Sequence, residues 1–398
     1  MTDMSAYLAH KIRLDPTAKQ AAALIRACGV ARFSFNWALA RWKEVHREGG
    51  KPSGHSLKRE WNTIKGMQFP WVYESPKNAN EGAFRDLQVA WSNFFAGRAE
   101  RPRFRKRGLH DAFYVSNDKF RFEGERVRLP IIGWVRMREV LRFEGKVLSA
   151  RVVREADQWH LAVQVELAEA PPPSQGLGVV GVDLGLTHLA TLSTGEKIAN
   201  PKALASNLKR LQRLSRQLSR KQKGSKNRAK AKARLARLHL RIRNLRSDAL
   251  QKLTTRLVRE NQTVVAERLH VKGMVRNRSL SRAISDAGWG TFRQMLTYKG
   301  AMYGTEVVLA DRFYPSSKTC SGCGSVKDKL DLGERVYVCM DCGLVIDRDE
   351  NAAINLSNYP GLQGKTPVER RGAGRQRTGD ETALGEAGTI PRPLVGTR

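Results

Sequence analysis

The chain has 398 residues, 41% of them hydrophobic, with 71 Lys and Arg against 38 Asp and Glu, a formal net charge of +33. That hydrophobic content supports packed cores in about two to four domains, and no apolar run reaches the ~18 residues of a transmembrane span. A charge of this sign and size repels itself unless a polyanion is bound, and nucleic acid is the obvious polyanion.

The opening residues Met1-Thr2-Asp3-Met4-Ser5 carry no signal-peptide pattern. Ala6 to Leu14 alternates weakly and predicts a strand, which Asp15-Pro16-Thr17 stops while starting a helix, with Thr17 or Asp15 as cap. Residues 18–48, about 56–65 and roughly 76–97 read as helices, with Ala22, Ile25, Phe33, Trp37 and Trp42 on the first apolar face and Phe84, Leu87 and Trp91 on the last. Cys28 lies in an Ala-Leu-Ile context and is expected as a small buried hydrophobe. In the run from Arg98 to Arg107, arginines interleave with Pro102 and Phe104, a pattern that suits an extended strip on a phosphate backbone through Arg103 and Arg105.

From Ala112 to Leu167 the period changes to two, and short strands separated by turns suggest a small antiparallel barrel. A Pro-rich linker around Pro171-Pro172-Pro173 follows. Ala203 to Arg259 carries two leucine-rich helical stripes broken at Gly224-Ser225, so it predicts an antiparallel helical hairpin. No Asp or Glu occurs between Ile198 and Ser247. An ordinary solvated helix mixes signs for i,i+4 pairing, so the hairpin is expected to touch nucleic acid, with Lys209, Arg213 and Arg220 as candidates.

Four of the five cysteines form two CxxC pairs, Cys320/Cys323 and Cys339/Cys342, each followed by a glycine that suits a knuckle turn. Two such knuckles complete a tetrahedral Zn²⁺ site, structural because four thiolates saturate the ion. The pairing also argues for metal rather than disulfides and for a reducing compartment. After Tyr359 the chain becomes rich in Gly, Pro, Arg and Thr and is expected to be disordered.

Three acids stand out against apolar surroundings. Asp183 ends the run Val179-Val180-Gly181-Val182, which resumes after Gly185 as a second strand of a hairpin. Glu267 ends the strand Thr263-Val264-Val265-Ala266, and Asp347, Asp349 and Glu350 open a helix with an Ala/Ile/Leu face. Strand acid, strand acid and helix-start acid is the layout of an RNase H-like nuclease core. There, carboxylates from distant segments hold two divalent cations about 3.5–4 Å apart, and oxygen ligands suit Mg²⁺ or Mn²⁺.

With these residues assembled, the chain resembles the TnpB proteins of bacterial insertion sequences, compact relatives of type V CRISPR effectors. The resemblance rests on Leu14-Asp15-Pro16-Thr17 with Gln20, Asn36-Trp37-Ala38-Leu39, Arg101-Pro102-Arg103-Phe104-Arg105, Gly181 to Gly185, Glu267-Arg268-Leu269, and the CxxC pairs running into Asp347 to Ala353. It implies an RNA-guided DNA endonuclease, with a transposon-end-derived guide RNA and a short target-adjacent motif. The catalytic acids carried over are Asp183, Glu267 and Asp349, with Asp347 left out because the family acid directly precedes the x-Asn-Ala-Ala segment.

The implied fold is multidomain α+β. A wedge strand (1–15) and wedge barrel (109–170) flank a helical recognition lobe (16–108). A RuvC-like nuclease (171–315 and 347–358) carries the basic hairpin at 203–259 and a zinc ribbon at 316–346, and the tail is 359–398. Lys77, Asn78, Asn80 and Glu81, with Ser116 and Asn117, fall where the family would read the adjacent motif. A cytoplasmic monomer with one RNA, one zinc and two magnesium ions is expected. The competing readings are a catalytically silent RNA-guided DNA-binding protein, which loss of an acid would support, and an RNase H-fold transposase needing no guide.

Overall fold

The computed structural model describes residues 7–169, 171–331 and 333–362; the expectation for the tail beyond 362 and the first residues lies outside them. Two compact units emerge. Among the described residues the larger takes 7–15, Gly124–Arg126 and 136–362; the smaller takes Pro16–Glu123 and Val127–Val135.

The alternating pattern at the start yields β1 (Tyr7–Asp15), with His10, Ile12 and Leu14 buried and Lys11 and Arg13 exposed. The smaller unit follows with α1 (Ala18–Arg47), α2 (Gly54–Gln68) and α3 (Lys77–Phe95). Thr17 rather than Asp15 caps α1: its hydroxyl accepts from Gln20 N, and the Gln20 side chain accepts from Thr17 N. That reciprocal box satisfies two helix-start N–H groups. Leu24, Ala27, Cys28, Ala31, Phe35, Ala38 and Trp42 form the buried stripe of α1, and Trp42 stacks on Trp91 of α3 at 5.2 Å. β2 (Ala112–Ser116) lies so close to α3 that a Cβ on Gly82 would come within 2.6 Å of Tyr114 Cβ. β3 (Arg121–Glu123), β4 (Arg126–Leu129) and β5 (Gly133–Met137) complete this stretch.

β6 (Gly145–Glu155) and β7 (Gln158–Leu167) pair antiparallel, and β1 pairs antiparallel with β7 and with the end of β5. Within the larger unit the strands run β6-β7-β1, with the end of β5 beyond β1. They make a curled antiparallel half-barrel where the short alternating strands had suggested a barrel.

A second sheet starts with β8 (Val179–Asp183), β9 (His188–Leu192) and β10 (Lys197–Ala199). The basic hairpin follows as α4 (Ala203–Ser219) and α5 (Lys226–Glu260), turning through Gly224 at φ +85° and joined by Ala203, Leu238 and Ile242 with Leu204, Leu211 and Leu214. Arg237 of α5 donates to Asp157 at 2.7 Å and Arg243 pairs with Glu155 at 2.8 Å, so two hairpin arginines serve the fold at the β6–β7 turn.

Next come β11 (Thr263–Glu267), the short helices α6 (Val271–Met274) and α7 (Ser281–Ala287), then α8 (Trp289–Tyr303) and β12 (Glu306–Ala310). The chain continues through β13 (Val336–Val338) and β14 (Val345–Asp347) into α9 (Arg348–Ser357). The sheet order is β10-β9-β8-β11-β12; β8, β11 and β12 are parallel neighbours, and β9 returns antiparallel to β8. β11 is covered on both faces, which is why its sequence is a continuous apolar run. Val264 and Ala266 pack with Leu253 and Leu257 of α5 and Phe292 and Leu296 of α8, whereas Val265 packs with Leu356 of α9.

Candidate active site and metal centre

The parallel register aligns Val182 with Ala266. One residue on, Asp183 and Glu267 therefore occupy the same rung at the C-terminal ends of neighbouring strands, about 4.8 Å apart in strand spacing. Val182 and Ala266 face the α5/α8 core, so the period of two turns Asp183 and Glu267 toward the α9 face. Gly181 lets the helix come that close: a Cβ there would lie 1.9 Å from Ala353 O and 2.5 Å from Ser357 N. With α9 seated directly on β8, its second residue, Asp349, reaches the two strand ends. All three acids are partly buried.

Their electrostatics report the convergence. Burial pushes the Asp183 carboxyl well above the ordinary carboxylate range, the charges of Glu267 and Asp349 push the same way, and Arg348 pulls it partly back. Burial also raises Glu267, opposed by the hydrogen bond that Ser316 Oγ donates at 3.0 Å and reinforced by Asp349. Arg348 contacts Asp349 at 3.2 Å. A set of negative groups this poorly compensated favours an added cation.

Asp347 is different. Its side chain accepts from Asp349 N at 3.1 Å and Glu350 N at 3.2 Å, capping α9, and pairs with Lys197 at 2.7 Å. Burial alone would raise it, but the Lys197 bond and the two N–H donors outweigh that and lower it.

The four cysteines form a compact cluster. Their sulfurs all lie within 4.8 Å of one another, with Cys320–Cys342 and Cys323–Cys339 each at 3.6 Å. Zn–S bonds of ~2.3 Å in a tetrahedron put sulfurs about 3.8 Å apart, so the donor set could hold zinc. The three acids do not form such a single-ion cluster.

Several residues that sequence reasoning did not assign link the two places. Asn351 Nδ2 donates to Thr319 O at 2.7 Å while its Oδ1 accepts from Ser321 N; Asn355 Nδ2 donates to Ser316 O and Thr319 O at 2.8 and 2.6 Å. These buried amides tie α9 to the root of the first knuckle, and Ser316 in the same root reaches Glu267. Two asparagines four apart on an otherwise apolar helical face were the available signal.

The candidate nucleic-acid residues divide. Lys209, Arg213 and Arg220 are exposed on the hairpin. Arg103 is exposed and pairs locally with Glu100. Arg105 pairs with Asp86 at 3.0 Å and lies 3.8 Å over the Phe35 ring. Asn78 donates to Ser116 Oγ at 3.1 Å, which joins the start of α3 to the 116–117 loop. Asn80, however, is only 3% exposed, so its amide is withdrawn from solvent, while Lys77 and Asn117 are exposed.

Comparison with known proteins agrees with this architecture. In the solved complex of Cas12f1 with sgRNA and target DNA, the Cas12f1 chain aligns over 89% of this chain and 99% of its own length at TM-score 0.53 and 13% identity, which defines a compact mixed α+β fold of the Cas12f type. The family OrfB_IS605, described as "Probable transposase", matches residues 162–278; a Cas12f1-like TNB domain matches 289–356, and an OrfB_IS605 helix-turn-helix domain matches 4–51. A "Putative RNA-guided DNA endonuclease" of Streptomyces pristinaespiralis is 42% identical over 87% of this chain and 88% of its own. InsQ of Escherichia coli K12, named in the same words, is 36% identical over 87% and 91%. The chain belongs to the TnpB family, the OrfB proteins of IS605-type insertion sequences.

Proposed function

We propose that the protein is an RNA-guided DNA endonuclease that binds a transposon-end-derived RNA, recognises a short target-adjacent motif and hydrolyses DNA with Asp183, Glu267 and Asp349 in a RuvC-like, RNase H-type core. The observation that carries this is the in-register pair Asp183 and Glu267 facing the start of α9, with Asp183 driven upward by burial and by both other acids. Three carboxylates whose burial and mutual repulsion are only partly offset by Arg348 would suit divalent cations as added counter-charge. Mg²⁺ (or Mn²⁺), when bound, would activate a water and stabilise the leaving 3′ oxygen. Asp183, Glu267 and Asp349 supply hard oxygen ligands; Ser316 and Arg348 orient Glu267 and Asp349. Zn²⁺ at the four cysteines would hold the knuckle that Asn351 and Asn355 grip.

Relatives named RNA-guided DNA endonucleases and the Cas12f1 complex with sgRNA and target DNA support RNA and DNA as partners. So does the charge of +33. The exposed bases of α4 would lie along the RNA or DNA backbone; Lys77, Ser116 and Asn117 remain the motif-reading candidates, and one chain per RNA is the simplest stoichiometry. Among the described residues no helix is long and apolar enough to cross a membrane. Loss of an acid would support the silent-binder reading, and the sequence keeps all three. The test is purification followed by RNA extraction and a plasmid assay. Co-purifying RNA and Mg²⁺-dependent cutting of a matched target are expected. Metal-dependent cutting without any RNA would favour the transposase instead.

A further inference from the structure

The smaller unit carries an open groove of about 520 Å³ between α1 and the turn at residues 70–75. Its lining combines three chemistries. Trp71, 41% exposed, offers a ring supported edge-on by Phe33 at 5.0 Å. Arg26 offers a guanidinium and Glu74 a carboxylate; both are exposed, and neither side chain has a partner among the described residues. The floor is kept open by Gly29, where a Cβ would meet nothing closer than Arg32 at 3.9 Å. The other lining cation, Arg32, is already held by Asp111 at 3.2 Å.

A free acid and a free base in one groove, neither neutralising the other, are placed for a ligand that carries both a negative group and N–H donors. Trp71 in the same groove adds an aromatic face on which a flat ring can stack. A nucleotide has this composition, and proteins read unstacked bases by aromatic stacking plus hydrogen bonds to the base edge. Among the four bases, guanine presents two adjacent donors, N1–H and the N2 amino group, to a single carboxylate. Adenine, cytosine and uracil cannot give a carboxylate that pair. We propose that this groove binds one unpaired guanine nucleotide, its base stacked on Trp71, its Watson–Crick edge donating to Glu74 and its phosphate on Arg26. The proposal rests on the nucleic-acid-binding reading above and adds a base-specific site to it.

The test measures binding of fluorescent pentamers to the full-length protein, freed of RNA, by anisotropy. The probes are pentauridylate, the same RNA with a central guanosine or inosine, and the corresponding DNA pentamers. The guanosine probe is expected to bind about ten-fold tighter than pentauridylate, the scale of one good stacking contact. Inosine, lacking the N2 amine, falls between. Glu74→Gln should remove the guanine preference and leave pentauridylate binding unchanged. Trp71→Ala should weaken the guanosine probe most, and Arg26→Ala should weaken every probe alike. Whichever polymer, RNA or DNA, shows the larger preference is the source of the guanine. Equal binding of guanosine and uridine probes, or a preference that survives Glu74→Gln, overturns the assignment of the groove. Failure of every probe to bind would instead overturn the nucleic-acid reading on which it stands.

Discussion

The four cysteines and the three acids belong to one unit, yet they are assembled in opposite ways. The cysteines come from two short motifs whose own turns bring each pair together, and their sulfurs close to within 4.8 Å. The acids come from β8, β11 and α9, which meet only when a parallel sheet is in register and a helix is seated on it. A locally built site survives much disturbance of the surrounding fold, whereas a site built from distant segments inherits every error in packing. The two are joined through α9: Asn351 and Asn355 grip the knuckle, and Asp349, on the same helix, joins the acids.

The largest expected effect separates chemistry from assembly. Asp183→Ala should lower the cleavage rate by roughly four powers of ten, the scale at which removing one member of a catalytic unit acts. Glu267→Ala and Asp349→Ala should match it, a double variant should be little worse, and guided DNA binding in gel shifts should persist for all. Chelation with EDTA should give the same pattern without releasing RNA. Cutting at the wild-type rate by Asp183→Ala would sink the assignment of these acids.

Gly181→Ala tests the assembly alone, because it changes no ligand. The added methyl meets backbone, not a movable side-chain end. Separating α9 from β8 should cost ~3 kcal/mol of stability and reduce cutting by on the order of a hundredfold, since small misplacements cost that much. Thermal unfolding together with plasmid cleavage reads both. An unshifted melting temperature with full activity would show that α9 does not depend on this close approach.

Cys320→Ser asks how far the local site supports the distant one. It should drop zinc content well below one ion per chain by elemental analysis and loosen the knuckle, since zinc binding there is worth on the order of 10 kcal/mol of local folding. Cutting should fall by about tenfold, through Ser316, Asn351 and Asn355 rather than through lost chemistry. A full zinc complement in this variant would show that the four sulfurs are not one site.

The difference in construction also explains what was legible in the sequence. The CxxC pairs could be read directly because their geometry is local. The acids could be picked out because a carboxylate at the end of an apolar strand is conspicuous, and the order of their segments suggested how they meet. The register that puts Asp183 level with Glu267 could not be read, because strand pairing is non-local. Nor could the roles of Ser316 and Asn355, whose partners lie 49 and about 36–39 residues away. Nor could the partners of Arg105 be read, because only the fold brings Asp86 and Phe35 against it.

The smallest effect concerns Asp347, two residues from Asp349 and of the same chemical type. If adjacency to the site were enough, both would behave alike. The geometry gives Asp347 other work: it caps α9 through the N–H groups of Asp349 and Glu350 and pairs with Lys197. Asp347→Ala should therefore cost about 1 kcal/mol, the usual price of a lost helix cap, and lower cutting only a few-fold. Asp347→Asn keeps a cap acceptor and should recover most of that loss. The folded carboxyl is held below its ordinary value, so its stabilisation is fully present above the unfolded value and disappears as pH falls through the folded one. Wild type and Asp347→Ala should thus differ in thermal midpoint near neutral pH and converge only once the pH has fallen through the lowered folded value, below the ordinary carboxylate range. A loss of cutting in Asp347→Ala as deep as that in Asp349→Ala, in protein that melts like wild type, would move Asp347 from the helix cap into the active site.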